Sequence, residues 1–162
     1  FCERVGRPAN GAAFLQDART TGSFRAQNIL ANCYANESFE RAMDHNYSAL
    51  ALAKSPDQRA RILNNMAMLI LRHGRIDLLE RAEHYLRECD KVRPERFLWP
   101  LRTALALDVR RAQAAKLDQL VERAAGQGLL TPDGARYVSE LVFDRANRAR
   151  FDALAAPWAA PA

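Results

Sequence analysis

Glycine and proline are scarce in this 162-residue chain, at seven each, and residues branched at Cβ are few. Those shortages exclude a loop-rich all-β domain, because turns need Gly and Pro while strands favour Val, Ile and Thr. No run of 18 apolar residues occurs, so the sequence offers no membrane-spanning helix. The three cysteines are Cys2, Cys33 and Cys89, and an odd count argues against a disulfide framework. Cys33 and Cys89 fall at core-like helix positions, where a small thiol acts as a hydrophobe, so both are expected to be reduced and unlinked. Lysine is nearly missing, three against 21 arginines, a skew that reads as the coding bias of a GC-rich, bacterial source. Although the net charge is +5, the basic residues lie among acids along the helices, which argues against nucleic acid as the partner. What is abundant is Ala, Leu, Arg and Glu, all good helix formers, in a chain that is 49% apolar and therefore globular.

The strongest internal signal is a period. Pro56, Pro94 and Pro132 stand 38 residues apart, each followed by an acid: Asp57, Glu95 and Asp133. A Pro-acid step ends one helix and opens the next, since Pro suits a first turn and an acid suits the positive end of the helix dipole. Between the first two prolines, Leu63, Met66, Ala67 and Ile70 form an amphipathic stripe, Arg72-His73-Gly74 closes it, and Leu78, Ala82, Tyr85, Cys89 and Val92 form a second stripe. The preceding unit repeats this with Gln27, Leu30, Ala31 and Tyr34, a turn at Asn36-Glu37-Ser38, then Phe39, Ala42, Met43, Ala49, Leu50 and Ala53. The following unit has Leu98, Leu101 and Leu105 on a helix that begins near Pro100, then Leu117, Leu120, Val121 and Ala124. One more helix with Val138, Leu141 and Val142 on its buried face is expected over 133–152, an irregular tail over 153–162, and a short helix over 9–20. The chain starts at Phe1, which suggests a piece of a longer protein.

These residues resemble the tetratricopeptide repeat. Leu30-Ala31-x-x-Tyr34 looks like the family's Leu-Gly-x-x-Tyr, and Met66-Ala67, Ile70, Gly74, Ala82, Leu86, Cys89 and Pro94 fill its positions in order, within a match covering 24–132. The departures are a period longer than the usual length of about 34 residues and, in the third unit, Ala112 near the place of the turn glycine. The resemblance implies a single all-α domain over 1–162, a right-handed superhelix of antiparallel helix pairs. Its repeats would be 22–56, 57–94 and 95–132, with 133–152 as the capping helix. It also implies that the first helix of each pair lines a concave groove and the second forms the convex back.

No catalytic constellation is present: there is no phosphate-cradling glycine loop, no Gly-x-Ser-x-Gly and no His-Glu-x-x-His. His45, His73 and His84 show no ligand spacing with the cysteines or one another, so neither a metal nor another cofactor is expected. One pattern rises above background. The first helices are basic and amide-rich, with Arg25, Asn28, Asn32 and Asn36, then Arg59, Arg61, Arg72 and Arg75, then Arg96 and Arg102. Acids gather on the second helices at Glu37, Glu40 and Asp44, at Asp77, Glu80, Glu83, Glu88 and Asp90, and at Asp118 and Glu122. A groove so lined is expected to bind an acidic or carboxylate-bearing extended segment of a protein or peptide. Its candidate residues are Arg25, Asn28, Asn32, Arg61, Asn64, Asn65, Met68, Arg72, Trp99 and Arg102. Asn32 and Asn65 match two of the five positions of the family's carboxylate clamp, while Asn28, Trp99 and Thr103 replace the others, so a full clamp is not expected.

The leading expectation is therefore a non-enzymatic binding scaffold. The alternative is a soluble accessory domain of a membrane-bound bacterial assembly, such as glycan or pilus machinery, an analogy from the use of such repeats. RNA binding is a third reading, and it lacks the exposed aromatic platforms on which bases stack.

Overall fold

The computed structural model describes residues 22–92, 101–105, 114–142 and 144–159, and every regular element among them is helical. In chain order these are α1 (Phe24–Tyr34), α2 (Phe39–Leu52), α3 (Pro56–Arg72), a 3-10 turn (Ile76–Leu78) leading into α4 (Leu79–Asp90), a helical stretch at 101–105, α5 (Ala114–Gly126), α6 (Pro132–Leu141) and α7 (Arg145–Ala159). The expected helix over 9–20, Pro94 with Glu95, and Leu98 to Pro100 lie outside the described residues.

Local chemistry sets where the helices start. Ser23, Ser38, Ser55 and Thr131 sit in extended backbone, and each side-chain oxygen accepts from the N–H three residues on, at 3.1, 3.3, 3.2 and 3.1 Å. Pro56 and Pro132 follow their caps in the first turn, where a missing N–H costs nothing, and Asp57 and Asp133 add first-turn acids. Gly74 and Gly128 shape two of the exits. Both have positive φ, 59° and 66°. At each the glycine N–H and the next N–H turn back onto helix carbonyls: Gly74 to Leu71 and Arg75 to Ile70, both 3.0 Å, and Gly128 to Ala125 and Leu129 to Ala124, 3.0 and 2.9 Å. A methyl at Gly74 meets nothing within 4 Å. Gly74→Ala should therefore lower stability through backbone strain alone, by about 1 kcal/mol in a urea titration. The same change at Gly126, helical and equally open, should be neutral or stabilising.

α1 packs on α2, α2 on α3, and α3 on α4, so the first four helices form two consecutive hairpins. The hairpins meet at matching positions. Tyr47 reaches Tyr85, and Ala35 reaches His73, each 38 residues on; Asn28 reaches Asn65 across 37 and Asn36 reaches Arg72 across 36. Alanines make the close approach possible: Ala42, Ala49, Ala60, Ala67 and Ala82 are at most 1% exposed. α3 is buried more widely than its sequence stripe predicts, for Ile62, Leu69 and Leu71 join Met66, Ala67 and Ile70 inside. α6 packs against α3 in addition to α2 and α4.

The C-terminal region departs from the expected single capping helix and irregular tail. Val142 is extended, and Asp144 accepts from the Asn147 N–H at 2.9 Å, so a new helix starts there. Arg148 reaches back to the Val142 carbonyl, with Nε at 2.8 Å, and braces the corner. Phe151 and Ala155, 0 and 1% exposed, then hold α7 in the main core, which keeps the segment beyond 152 helical through Pro157. No helix among the described residues is long and apolar enough to cross a membrane.

One cysteine differs from expectation. Cys89 is a reduced thiol buried in the core, as expected, whereas Cys33 is disulfide-bonded. Counting thiols disfavours a framework of bridges; it leaves a single bridge open. Cys33 belongs with Leu30 to a small buried cluster separate from the main core.

His45 joins α1 to α2. Its Nδ1 lies 2.8 Å from Gln27 Oε1, its ring stacks on Tyr34 at 5.5 Å between centroids, and burial lowers its pKa below 6.5 against an opposing push from Asp44. The unfolded chain then binds a proton more readily than the folded one, so stability should decline as pH falls through 6.5 towards the lower pKa of the folded state. His45→Gln should flatten that slope in denaturant midpoints measured across the window.

Candidate functional site

Two helix faces lie side by side. On α1, Arg25, Asn28, Asn32 and then Asn36 just past its end recur at helical spacing; on α3, Arg61, Asn65, Met68 and Arg72 do the same. Arg25, Asn32, Asn36, Arg61 and Arg72 are exposed, while Asn28, Asn64, Asn65 and Met68 are half-buried. The two stripes are tied directly. Asn65 Nδ2 donates to Asn28 Oδ1 at 3.3 Å, and an Arg72 guanidinium nitrogen donates to Asn36 Oδ1 at 3.1 Å. Next to the second bridge, His73 Nε2 donates to the Ala35 carbonyl at 2.7 Å, fixing the ends of both helices. Among the residues expected at a groove, the structure therefore brings Asn28 and Asn65 into contact. It also sets Arg72 against Asn36, which the sequence placed both among the amides of the first helix and in the turn that follows it.

Several basic side chains away from this face are ion-paired. Arg75 pairs with Asp77 and Glu40, Arg87 with Glu83, Lys91 with Glu88, Arg136 with Asp133, and Arg150 with Asp118. The Arg75 partner draws the Asp77 carboxyl below its usual range, and Lys91 does the same for Glu88. By contrast, Arg25, Arg61 and Arg72 have no acid at ion-pair distance among the described residues. Arg102, expected in the same set, is ion-paired to Asp90 of α4, and burial lowers its pKa. Its charge is thus satisfied within the chain. Trp99 lies outside the described residues.

Tyr137 is an addition that sequence spacing could not reveal. It is half-buried on α6, and burial raises its pKa while Arg72 pulls it down and Glu140 pushes it up, which puts Arg72 and Tyr137 within electrostatic reach. The only signal for that approach is the packing of α6 on α3, joining residues more than 60 positions apart.

Chemically, the face offers amide donors and acceptors at regular spacing and three guanidinium groups with spare N–H donors. Among the described residues no group of three or more His, Cys, Asp or Glu is placed to hold a metal ion. Comparison with known protein families, with curated proteins and with solved structures finds no match.

Proposed function

We propose that the chain is a non-enzymatic, tetratricopeptide-like binding scaffold that holds an extended acidic or carboxylate-bearing segment of another protein along the α1–α3 face. The observation that carries this reading is the contrast in charge. Several arginines on the other faces are matched with acids, whereas Arg25, Arg61 and Arg72 have no acid at ion-pair distance among the described residues and stand beside a row of asparagines. In a superhelix of helix pairs this face is the concave one, and concavity concentrates the field of those guanidinium groups on a ligand. Asparagine amides suit a peptide backbone, since each both donates and accepts and none demands a particular side chain. Met68 gives the face its apolar contact.

The test is binding of a labelled acidic peptide and of a neutral peptide of equal length, followed by fluorescence anisotropy. The acidic peptide should bind more tightly, and its affinity should fall as ionic strength rises, because exposed charges are screened over about 10 Å at 0.1 M salt. Asn65→Ala should act mainly on the dissociation rate and little on the salt slope. Equal, salt-independent binding of both peptides would sink the reading.

A further inference from the structure

The spacing of the arginines on the α1–α3 face narrows its ligand further than their charge does. Arg61 and Arg72 are exposed on α3 and stand three helical turns apart, so they leave the same side of the helix. Eleven steps at 1.5 Å each separate them by about 16 Å along the axis. Arg25 belongs with Arg61. Asn28 meets Asn65 across 37 positions and Asn36 meets Arg72 across 36, so α1 and α3 lie side by side in register. The same offset carries Arg25 to the level of Arg61 or the residue after it. The face thus has two cationic points: Arg25 with Arg61 near the helix starts, and Arg72 near the ends. The Asn28–Asn65 bridge lies between them, about 6 Å along the axis from Arg61 and about 10 Å from Arg72.

We propose, resting on the binding role given to this face, that it selects its ligand by distance: it takes an extended segment with two acidic side chains four to six residues apart. One acid meets Arg25 and Arg61, the other meets Arg72, and the peptide units between them cross the Asn28–Asn65 bridge. In that bridge Asn65 Nδ2 donates to Asn28 Oδ1, which leaves Asn65 Oδ1 to accept from, and Asn28 Nδ2 to donate to, a peptide unit of the ligand. Arg72 gives one N–H to Asn36 and keeps the rest of its five N–H donors for a carboxylate.

The length follows from chain geometry. An extended chain advances about 3.3 Å per residue, so four residues span about 13 Å and six about 20 Å, either side of the arginine separation. Even separations also put both acids on one side of the segment, because side chains of an extended chain alternate. Adjacent acids span too little to reach both points, and acids twelve residues apart, about 40 Å, overshoot them. The two points lie farther apart than the screening length of about 10 Å at 0.1 M salt. Each acid therefore acts through its own arginines and not through a summed field.

The probes are labelled peptides of equal length, acetylated and amidated so that no terminal carboxylate is present, with two glutamates one, four, six or twelve positions apart. A peptide with one glutamate and a neutral one serve as controls, and binding to the full chain is read by fluorescence anisotropy. The peptides spaced by four and six should bind about 3–10-fold more tightly than the other two and than the single-glutamate control. Arg72→Gln should make one glutamate of a well-spaced peptide dispensable, and Arg25→Gln with Arg61→Gln should do so for the other. Glutamine keeps the helix propensity of arginine and removes its charge at these exposed positions, so the fold is retained. If every two-glutamate peptide binds equally, and better than the neutral one, the face binds acids without measuring their spacing; the proposal is then overturned and the binding role stands. If none binds better than the neutral peptide, both fall. Arginine variants that weaken every peptide alike, with neither glutamate becoming dispensable, would also overturn the proposal.

Discussion

Ala67→Leu is expected to lower stability by about 1–3 kcal/mol and to shift the denaturant midpoint accordingly. Ala67 is fully buried near the middle of α3, the helix on which α2, α4 and α6 all pack. Ala42 and Ala49 on α2, Ala60 on α3 and Ala82 on α4 are equally hidden, so the chain uses methyl-sized side chains where these helices approach. Three added carbons have no void to enter at such a crossing, and either the rotamers or the helix axes must give. Ala51→Leu, on the exposed side of α2, supplies the control: similar helix propensity and no overpacking, hence a change within about 0.5 kcal/mol. If the two substitutions shift the midpoint equally, Ala67 is not at a close helix contact.

Much of this packing was legible in the sequence because it is written locally. Leu63, Met66, Ala67 and Ile70 repeat at the helical period, Gly74 has the positive φ that a helix exit favours, and Pro56 and Pro132 open helices. The features that escaped depend on distant partners. Neither the burial of Leu69 and Leu71 nor the packing of α6 against α3 is announced by a local pattern. The break between α6 and α7 rests on Asp144 acting as a cap and on Phe151 reaching the core, whereas the apolar spacing alone ran on unbroken. The Cys33 bond could not be seen by counting thiols, since an odd number permits one bridge and one buried thiol.

The candidate face divides the same way. Arg25, Asn28, Asn32, Arg61, Asn65 and Arg72 were readable from the acid-poor first helices, and two contacts tie those helices together, Asn28 to Asn65 and Asn36 to Arg72. Arg102 had the right residue type and the right helix, but an acid one helix earlier, Asp90, claims it. Tyr137 comes from an element outside the repeat pattern altogether.

Reversing charge on the α1–α3 face tests the central claim most directly. Arg61 and Arg72 are exposed, and no acid among the described residues pairs with them, so glutamate at both positions removes two attractions and adds two repulsions with little demand on the core. Like charges brought together at a binding face cost several kcal/mol, so Arg61→Glu with Arg72→Glu should weaken an acidic peptide by about 10–100-fold and abolish its salt dependence. The matching change on α4, Glu83→Lys with Glu88→Lys, alters charges engaged by Arg87 and Lys91 and should leave binding within about twofold. Circular dichroism and the melting midpoint of both variants should stay near those of the parent. The account predicts loss of the peptide from the first variant alone; unchanged binding there, with loss from the α4 variant, would place the functional surface on the opposite side of the helix pairs and contradict it.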